Sequence, residues 1–461
     1  MFYKLKAGLA LRGWQKLPYA LCDLNKGTTV FIGKREFEAL SFCDGASPAG
    51  TLFTPPELLA IIKKAEENGV IEECHGGESL DPIQEYRFFD ARYIRMAHWS
   101  MTGKCNYRCR HCFMSAPDAK YGELKSDQCV DIINQLADCG IMQISLTGGE
   151  CLVRDDFMEL VDLMRKKNIH IKVIYSNGAL VSEALLDALK ERGLEPEFNM
   201  SYDGVGWHDW LRGIDGAEAA VERAFKLCRE KGFPTAAELC IHQGNKHLLR
   251  ESVNRLAEWG CGHLKTNPVS GTELWDKHGD GKSITMEELY DVYLDYIPRF
   301  FDDGSPLSLQ LGGFFMAQKG DKKYRIPSVK YNGTDKMNRQ CICGHARHVM
   351  YIAADGKLLP CMALSSMPIQ ERFPNILDGL AKGLSDSYYM RFIDTRLEEY
   401  LSHNPECAAC DNKYTCGGGC RASALEHSTD IYAKDLACCG IFTGGYGEKI
   451  KAAVESVIGT E

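Results

Sequence analysis

Three cysteines stand close together, at Cys105, Cys109 and Cys112, in the run Cys-Asn-Tyr-Arg-Cys-Arg-His-Cys. The spacing is C-x3-C-x2-C, and it follows directly on a strand-like stretch from Arg95 to Met101. Three thiolates are one short of the four that complete a [4Fe–4S] cube, so a cube held here leaves one iron open to a ligand from outside the protein. A structural zinc site or buried apolar cysteines are the plainer alternatives. A second dense group lies further on. Cys343 is followed after twelve residues by Gly356 and after four more by Cys361; then comes Cys407-x2-Cys410-x5-Cys416-x3-Cys420 and, after seventeen residues, Cys438. A zinc ribbon over Cys407 to Cys420 would leave Cys361 and Cys438 unexplained.

These residues need elements to position them, and composition sets the terms. The chain has 461 residues, 45% hydrophobic and 25% charged, as in ordinary globular proteins, with room for two or three domains. A net charge of −9 argues against nucleic-acid binding. There is no long apolar run for a membrane span and no secretory signal, so the cytoplasm is the expected location. In that setting 21 cysteines point to metal or cluster ligation, not to disulfides. Cys22, Cys43, Cys74, Cys129, Cys139, Cys228, Cys240 and Cys261 fit small buried hydrophobes.

Three regions follow, 1–90, 91–305 and 306–461. In the first, Tyr19–Asp23 and Thr28–Ile32 read as strands around Asn25-Lys26-Gly27. A helix follows from Lys34, and Thr54-Pro55-Pro56-Glu57 has the capping-box pattern before a second helix that Gly69 ends. In the second region short apolar strands near 95–101, 142–147, 170–175, 197–202, 236–241 and 263–267 alternate with amphipathic helices near 126–139, 155–167, 181–191, 216–231 and 246–259. Ser126 is the expected N-cap of the first of these. The alternation predicts an α/β fold with a parallel sheet, a partial (β/α)6 TIM-like barrel whose ligands sit at the C-terminal strand ends. Cys105 follows the first strand and lies at that mouth. A helix near 285–302 leads to the cysteine-dense last region. Tyr351 to Gly356 reads there as a strand and turn.

The cysteine loop, together with Thr147-Gly148-Gly149-Glu150 at the end of the second strand, resembles the radical S-adenosylmethionine (SAM) superfamily. The resemblance implies SAM chelated to the open iron of a [4Fe–4S] cluster and a 5′-deoxyadenosyl radical. It implies SAM contacts from Gly148, Gly149 and Glu150, from Ser176 in Tyr175-Ser176-Asn177-Gly178 and from Ser201 in Ser201-Tyr202-Asp203-Gly204. Arg212 is expected to meet the SAM carboxylate and Phe113 to lie near the adenine; His111 is assigned no role.

The later cysteines resemble the SPASM extension of that superfamily. Two auxiliary [4Fe–4S] clusters are implied, three clusters in all. The first takes Cys343, Cys361 and Cys420 with Cys341 as fourth ligand, or keeps an open iron if Cys341 does not ligate. The second takes Cys407, Cys410, Cys416 and Cys438, with Cys439 as substitute for the last.

Residues 1–90 resemble a winged helix of the kind that recognises precursor peptides by strand addition. The expected function is thus an oxidoreductase that matures a ribosomally made peptide. It would bind a precursor with its leader, accept electrons from a flavodoxin or ferredoxin, and form a thioether or, next, a carbon–carbon crosslink. Alternatives are maturation of a sulfatase or of a redox cofactor, or epimerisation with Cys151 or Cys240 as hydrogen donor. A non-catalytic electron-transfer or sensor protein is the reading from another class. No residue stands out as a catalytic base.

Overall fold

The computed structural model describes residues 1–49, 54–116, 118–330, 333–426 and 428–458. The first region holds seven strands: β1 (Phe2–Leu5), β2 (Leu9–Gln15), β3 (Leu17–Asp23), β4 (Thr28–Phe31), β5 (Asp44–Pro48), β6 (Ile71–Cys74) and β7 (Arg87–Arg92). They form two sheets, ordered β5-β1-β6 and β4-β3-β2-β7. The helices Lys34–Ser41 and Pro56–Glu67 pack with the first of these around Leu5, Leu40, Cys43, Ile62 and Ile71. The second helix starts at Pro56 with Pro55 as N-cap, in place of the capping box expected from Thr54. Glu57, the other half of that box, ion-pairs with Arg35 instead.

The rest is organised by one eleven-stranded sheet. Its strands are β8 (Met96–Ser100), β9 (Gln143–Thr147), β10 (His170–Ser176), β11 (Glu197–Ser201), β12 (Thr235–Ile241), β13 (His263–Pro268), β14 (Ser308–Leu311), β15 (Phe315–Ala317), β16 (Tyr324–Arg325), β17 (Val349–Ile352) and β18 (Leu358–Leu359). The order is β16-β15-β14-β13-β12-β11-β10-β9-β8-β17-β18. All pairings from β17 through β8 to β14 are parallel. The six expected strands are therefore flanked by two more parallel ones, β14 and, from the cysteine-dense region, β17.

Strand alternation divides the sheet into two faces. Ala237, Leu239 and Ile241 of β12 join the core under the helices, while Glu238 and Cys240 are half-exposed on the inner face. Lys265 of β13 faces Glu238 there at 3.9 Å, and the His98 and Tyr175 rings stack at 4.9 Å. The helix Ser126–Asp138 takes Lys125 as N-cap, one residue before the expected Ser126. The Gln128 side chain accepts from the Lys125 N–H at 2.9 Å and closes the first turn one residue early.

The first region docks where strands β9 and β10 begin. The Trp14 indole donates to the Cys139 carbonyl, the Gln143 amide to the Gly27 carbonyl, and a His170 ring nitrogen meets the Leu24 carbonyl at 2.7 Å. That edge is opposite the one that carries the cysteine loop.

One ion pair fixes the approach to that loop. Arg154 is almost buried and donates to the Met101 and Leu124 carbonyls, while Asp156 grips it with both oxygens at 2.7–2.8 Å. The Arg154 hydrogen bond holds the Asp156 carboxyl below its ordinary range. A depressed acid stabilises the fold above its unfolded pKa, and that contribution is lost as the pH falls through the folded value. Asp156→Asn should cost about 2 kcal/mol at neutral pH. Urea unfolding at several pH values should show the gap to wild type closing below about pH 4.

Candidate functional site

The cysteine loop is held by a crossing of two backbones. After β8 the chain runs past the end of β9, and Met101 N donates to Thr147 O, Gly149 N to Thr102 O at 2.8 Å, and Glu150 N to Lys104 O at 2.9 Å. A β-carbon on Gly149 would lie 2.2 Å from the Lys104 carbonyl oxygen. The glycine pair thus lets the end of β9 approach the backbone that leads into Cys105.

Glu150 links this crossing to the next strand. Its buried carboxylate accepts from Ser176 Oγ at 3.0 Å, Asn177 N at 2.7 Å and Leu152 N at 3.2 Å. Burial raises its pKa, and the three donors only partly offset that. The Asn177 amide continues the chain to Asn106 Oδ1 at 2.7 Å and to Cys105 Sγ at 3.9 Å.

On the other side stands Arg212, in the short helix His208–Arg212. Its Nε donates to Asp203 Oδ2 at 2.6 Å and its Nη1 lies 3.8 Å from Cys109 Sγ. Asp203 is fully buried and also meets His208 Nδ1 at 3.2 Å and the Cys240 N–H. Burial alone would raise the Asp203 carboxyl; Arg212 first and then His208 reverse that and hold it far below its ordinary range. Ligand atoms of His111, Asp203 and Cys240 all lie within 4.8 Å of one another. The Arg212 guanidinium already supplies the positive charge there.

Ser201 ends β11 half-buried on the inner face, and Phe113 is half-buried just past Cys112. The structure thus flanks the cysteine loop with two networks, one of Glu150, Ser176 and Cys105 and one of Arg212 and Cys109. Asn106 was not singled out in the sequence, and Asn177 and Asp203 were read there only within the strand-end motifs. Their only signal was position at a strand end or inside the cysteine loop.

The later cysteines form two groups. Burial pushes the Cys361 thiol up to about 11, with Cys420 and Cys343 beside it. Cys341 bridges to Arg396, and its Sγ meets the Asp394 carbonyl at 3.8 Å. In the other group Cys416 and Cys438 stand 3.6 Å apart. This contact brings Cys416 down to about 7, while Cys438 is raised. Cys407 meets the Tyr400 hydroxyl at 3.3 Å, Cys410 is exposed, and Cys439 lies near Cys416 and Cys407.

Asp435 joins the two groups, accepting from Cys420 N at 2.6 Å, Cys438 N at 3.1 Å and Ser423 Oγ at 2.9 Å. Arg421 is buried over the Tyr400 ring and donates to the carbonyls of Gly418, Ile431 and Ala433. Neither residue carried a signal of this role in the sequence. Among the described residues no cysteine is joined in a disulfide. Thiols gathered at Cys105 and Cys109, around Cys361 and at the Cys416–Cys438 contact are sulfur donors of the kind that suits iron–sulfur ligation.

A three-thiol loop at the C-terminal edge of a parallel sheet, backed by two further thiol groups, has the make-up of an iron–sulfur enzyme. The radical SAM superfamily matches residues 99–256, and the chain belongs to that superfamily. A PqqA peptide cyclase from Gluconobacter oxydans is 25% identical over 367 residues, 77% of this chain and 92% of the relative. An Fe-coproporphyrin III synthase from Methanosarcina barkeri is 34% identical over 370 residues, 74% of this chain and 86% of the relative. The crystal structure of Streptococcus suis SuiB bound to precursor peptide SuiA superposes with a TM-score of 0.61 at 14% identity, over 95% of this chain and all of that one. Among the described residues no helix is long and apolar enough to cross a membrane.

Gly149→Ala should force the crossing apart, at a cost of about 1–3 kcal/mol. Urea denaturation checks the size of the loss. Gly271→Ala, with open space around its β-carbon and, like Gly149, no left-handed backbone, is the control and should stay near wild type.

Proposed function

We propose that this chain is a radical SAM oxidoreductase that matures a ribosomally made peptide by an intramolecular crosslink, thioether first and carbon–carbon next. The observation that carries the reading is an alignment over 92% of a peptide cyclase of the same superfamily. A first region matched within a full-length superposition on a structure that holds a precursor peptide supports it.

In this reading Cys105, Cys109 and Cys112 hold the SAM-binding [4Fe–4S] cluster. Bound there, cluster and SAM supply a 5′-deoxyadenosyl radical that takes a hydrogen atom from an unactivated carbon. The chain's own work is placement. Gly148, Gly149 and Glu150, with Ser176, border the methionyl end of SAM, Ser201 and Phe113 the nucleoside, and Arg212 the sulfur of Cys109 and the SAM carboxylate. The inner face around His98, Tyr175, Glu238 and Lys265 is the wall the peptide meets.

Residues 1–90 are the leader-recognition unit, winged-helix-like in its strands and helices, and 306–461 hold the bridging region and the SPASM domain. Cys343, Cys361 and Cys420, with Cys341, take the first auxiliary cluster. Cys407, Cys410, Cys416 and Cys438 take the second, the 3.6 Å approach of Cys438 to Cys416 favouring it over Cys439. A flavodoxin or ferredoxin is the electron donor.

A second reading, action on a tetrapyrrole, rests on the 34% identity to the Fe-coproporphyrin III synthase. Anaerobic mass spectrometry with SAM and a reductant separates the two. The expected result is loss of two hydrogens per crosslink in the peptide encoded beside the gene, with Fe-coproporphyrin unchanged. A modified porphyrin and an unmodified peptide would replace the first reading by the second. Cys109→Ala should reduce 5′-deoxyadenosine formation at least a hundredfold with either substrate, read by chromatography.

A further inference from the structure

Lys330 reaches both of the later cysteine groups. Its Nζ donates to the Gly419 carbonyl at 2.5 Å and to the Ile342 carbonyl at 3.3 Å. Gly419 precedes Cys420, and Ile342 lies between Cys341 and Cys343. Its main-chain N–H donates to the Thr415 carbonyl, next to Cys416. Through the Ile342 and Gly419 carbonyls one side chain therefore ties the Cys341–Cys343 segment to the Cys416–Cys420 turn.

Of the other cations nearby, Lys265 faces Cys361 from the large sheet and lies 3.9 Å from Glu238. Lys434 pairs with Glu406, Lys413 donates to the Ala408 carbonyl, and Arg421 is taken up by three carbonyls. Asp435 is the opposing anion, tied to the N–H groups of Cys420 and Cys438. Among the described residues no carboxylate ion-pairs with Lys330. Its charge is directed at the cysteine groups and not at a partner acid.

We infer that Lys330 is a positioning residue that raises the reduction potential of the auxiliary iron–sulfur centres by placing a fixed positive charge between them. The inference rests on the reading that these two cysteine groups hold clusters. The physical reason is general. One-electron reduction makes a thiolate-ligated cluster more negative, so a nearby cation favours the reduced form, and net charge and hydrogen bonding are among the levers that set such potentials. A residue that only ties the Cys416–Cys420 turn to the Cys341–Cys343 segment would act through its hydrogen bonds, which glutamine can partly keep.

The test is a spectroscopically monitored redox titration of the full-length, iron-loaded chain as wild type, Lys330→Gln and Lys330→Arg, with iron and sulfide counted in each. The expected result for Lys330→Gln is a fall of at least tenfold in the reduction equilibrium constant of one or both auxiliary centres, ~59 mV for a one-electron couple. Lys330→Arg should stay near wild type, and the SAM-site centre should not move in either variant. Loss of auxiliary iron in the Gln variant alone, with full loading in the Arg variant, would also trace to the charge. Full loading with unmoved potentials, or equal changes in both variants, would overturn the proposal. Iron and sulfide for a single cluster in the wild type would overturn the cluster reading itself, and this proposal with it.

Discussion

The crossing of the β9 end over Thr102 to Lys104 is the contact on which the site depends. Backbone hydrogen bonds made there fix where the chain enters the cysteine loop, and a side chain at Gly149 would abolish them. Once the crossing is made, Glu150 falls beside Ser176 and Asn177, and Asn177 falls beside Cys105. The parallel register of β8, β9 and β10 makes this possible, because parallel strands present all their C-terminal ends at one edge. The entry to the loop is thus positioned by main-chain geometry, and the short helix His208–Arg212 holds its middle.

Charge is handled with similar economy. A buried carboxylate is costly unless paired or hydrogen-bonded. Asp203 meets that cost with Arg212 and His208, Glu150 with three donors, and Asp435 with two cysteine N–H groups and a serine. Each of the three lies within one or two contacts of a cysteine. The acids near the thiols therefore organise the backbone or neighbouring side chains around the cysteines.

Much of this was legible in the sequence. The six strands from β8 to β13 lie within one or two residues of their expected bounds, because each is a short apolar run between turn residues. The cysteine groups were legible because spacing is a one-dimensional property. Other features were not. β5, Asp44-Gly-Ala-Ser-Pro48, has the composition of a loop and is a strand only because β1 pairs with it. β2 carries a buried Arg12, satisfied by the Leu11, Ile83 and Glu85 carbonyls, which no local pattern announces. The contacts of Arg212 with Asp203 and Cys109 are made by tertiary structure, and no local pattern announces them. Asp435 is a lone acid in the sequence and a junction in space.

The strand β17 has a consequence for how the molecule comes into being. It pairs with β8, the first strand of the large sheet, roughly 250 positions earlier in the chain, and pairings that distant are slow to close. During synthesis β8 is left with one unpaired edge until β17, Val349–Ile352, has emerged. An open edge on an apolar strand invites pairing with other chains. The first region, folding early and docking at the opposite end of β9 and β10, steadies the sheet during that interval but does not cover the edge. Assembly of this protein is therefore gated by its C-terminal third: the sheet is sealed only when the segment that also carries the second set of thiols is in place.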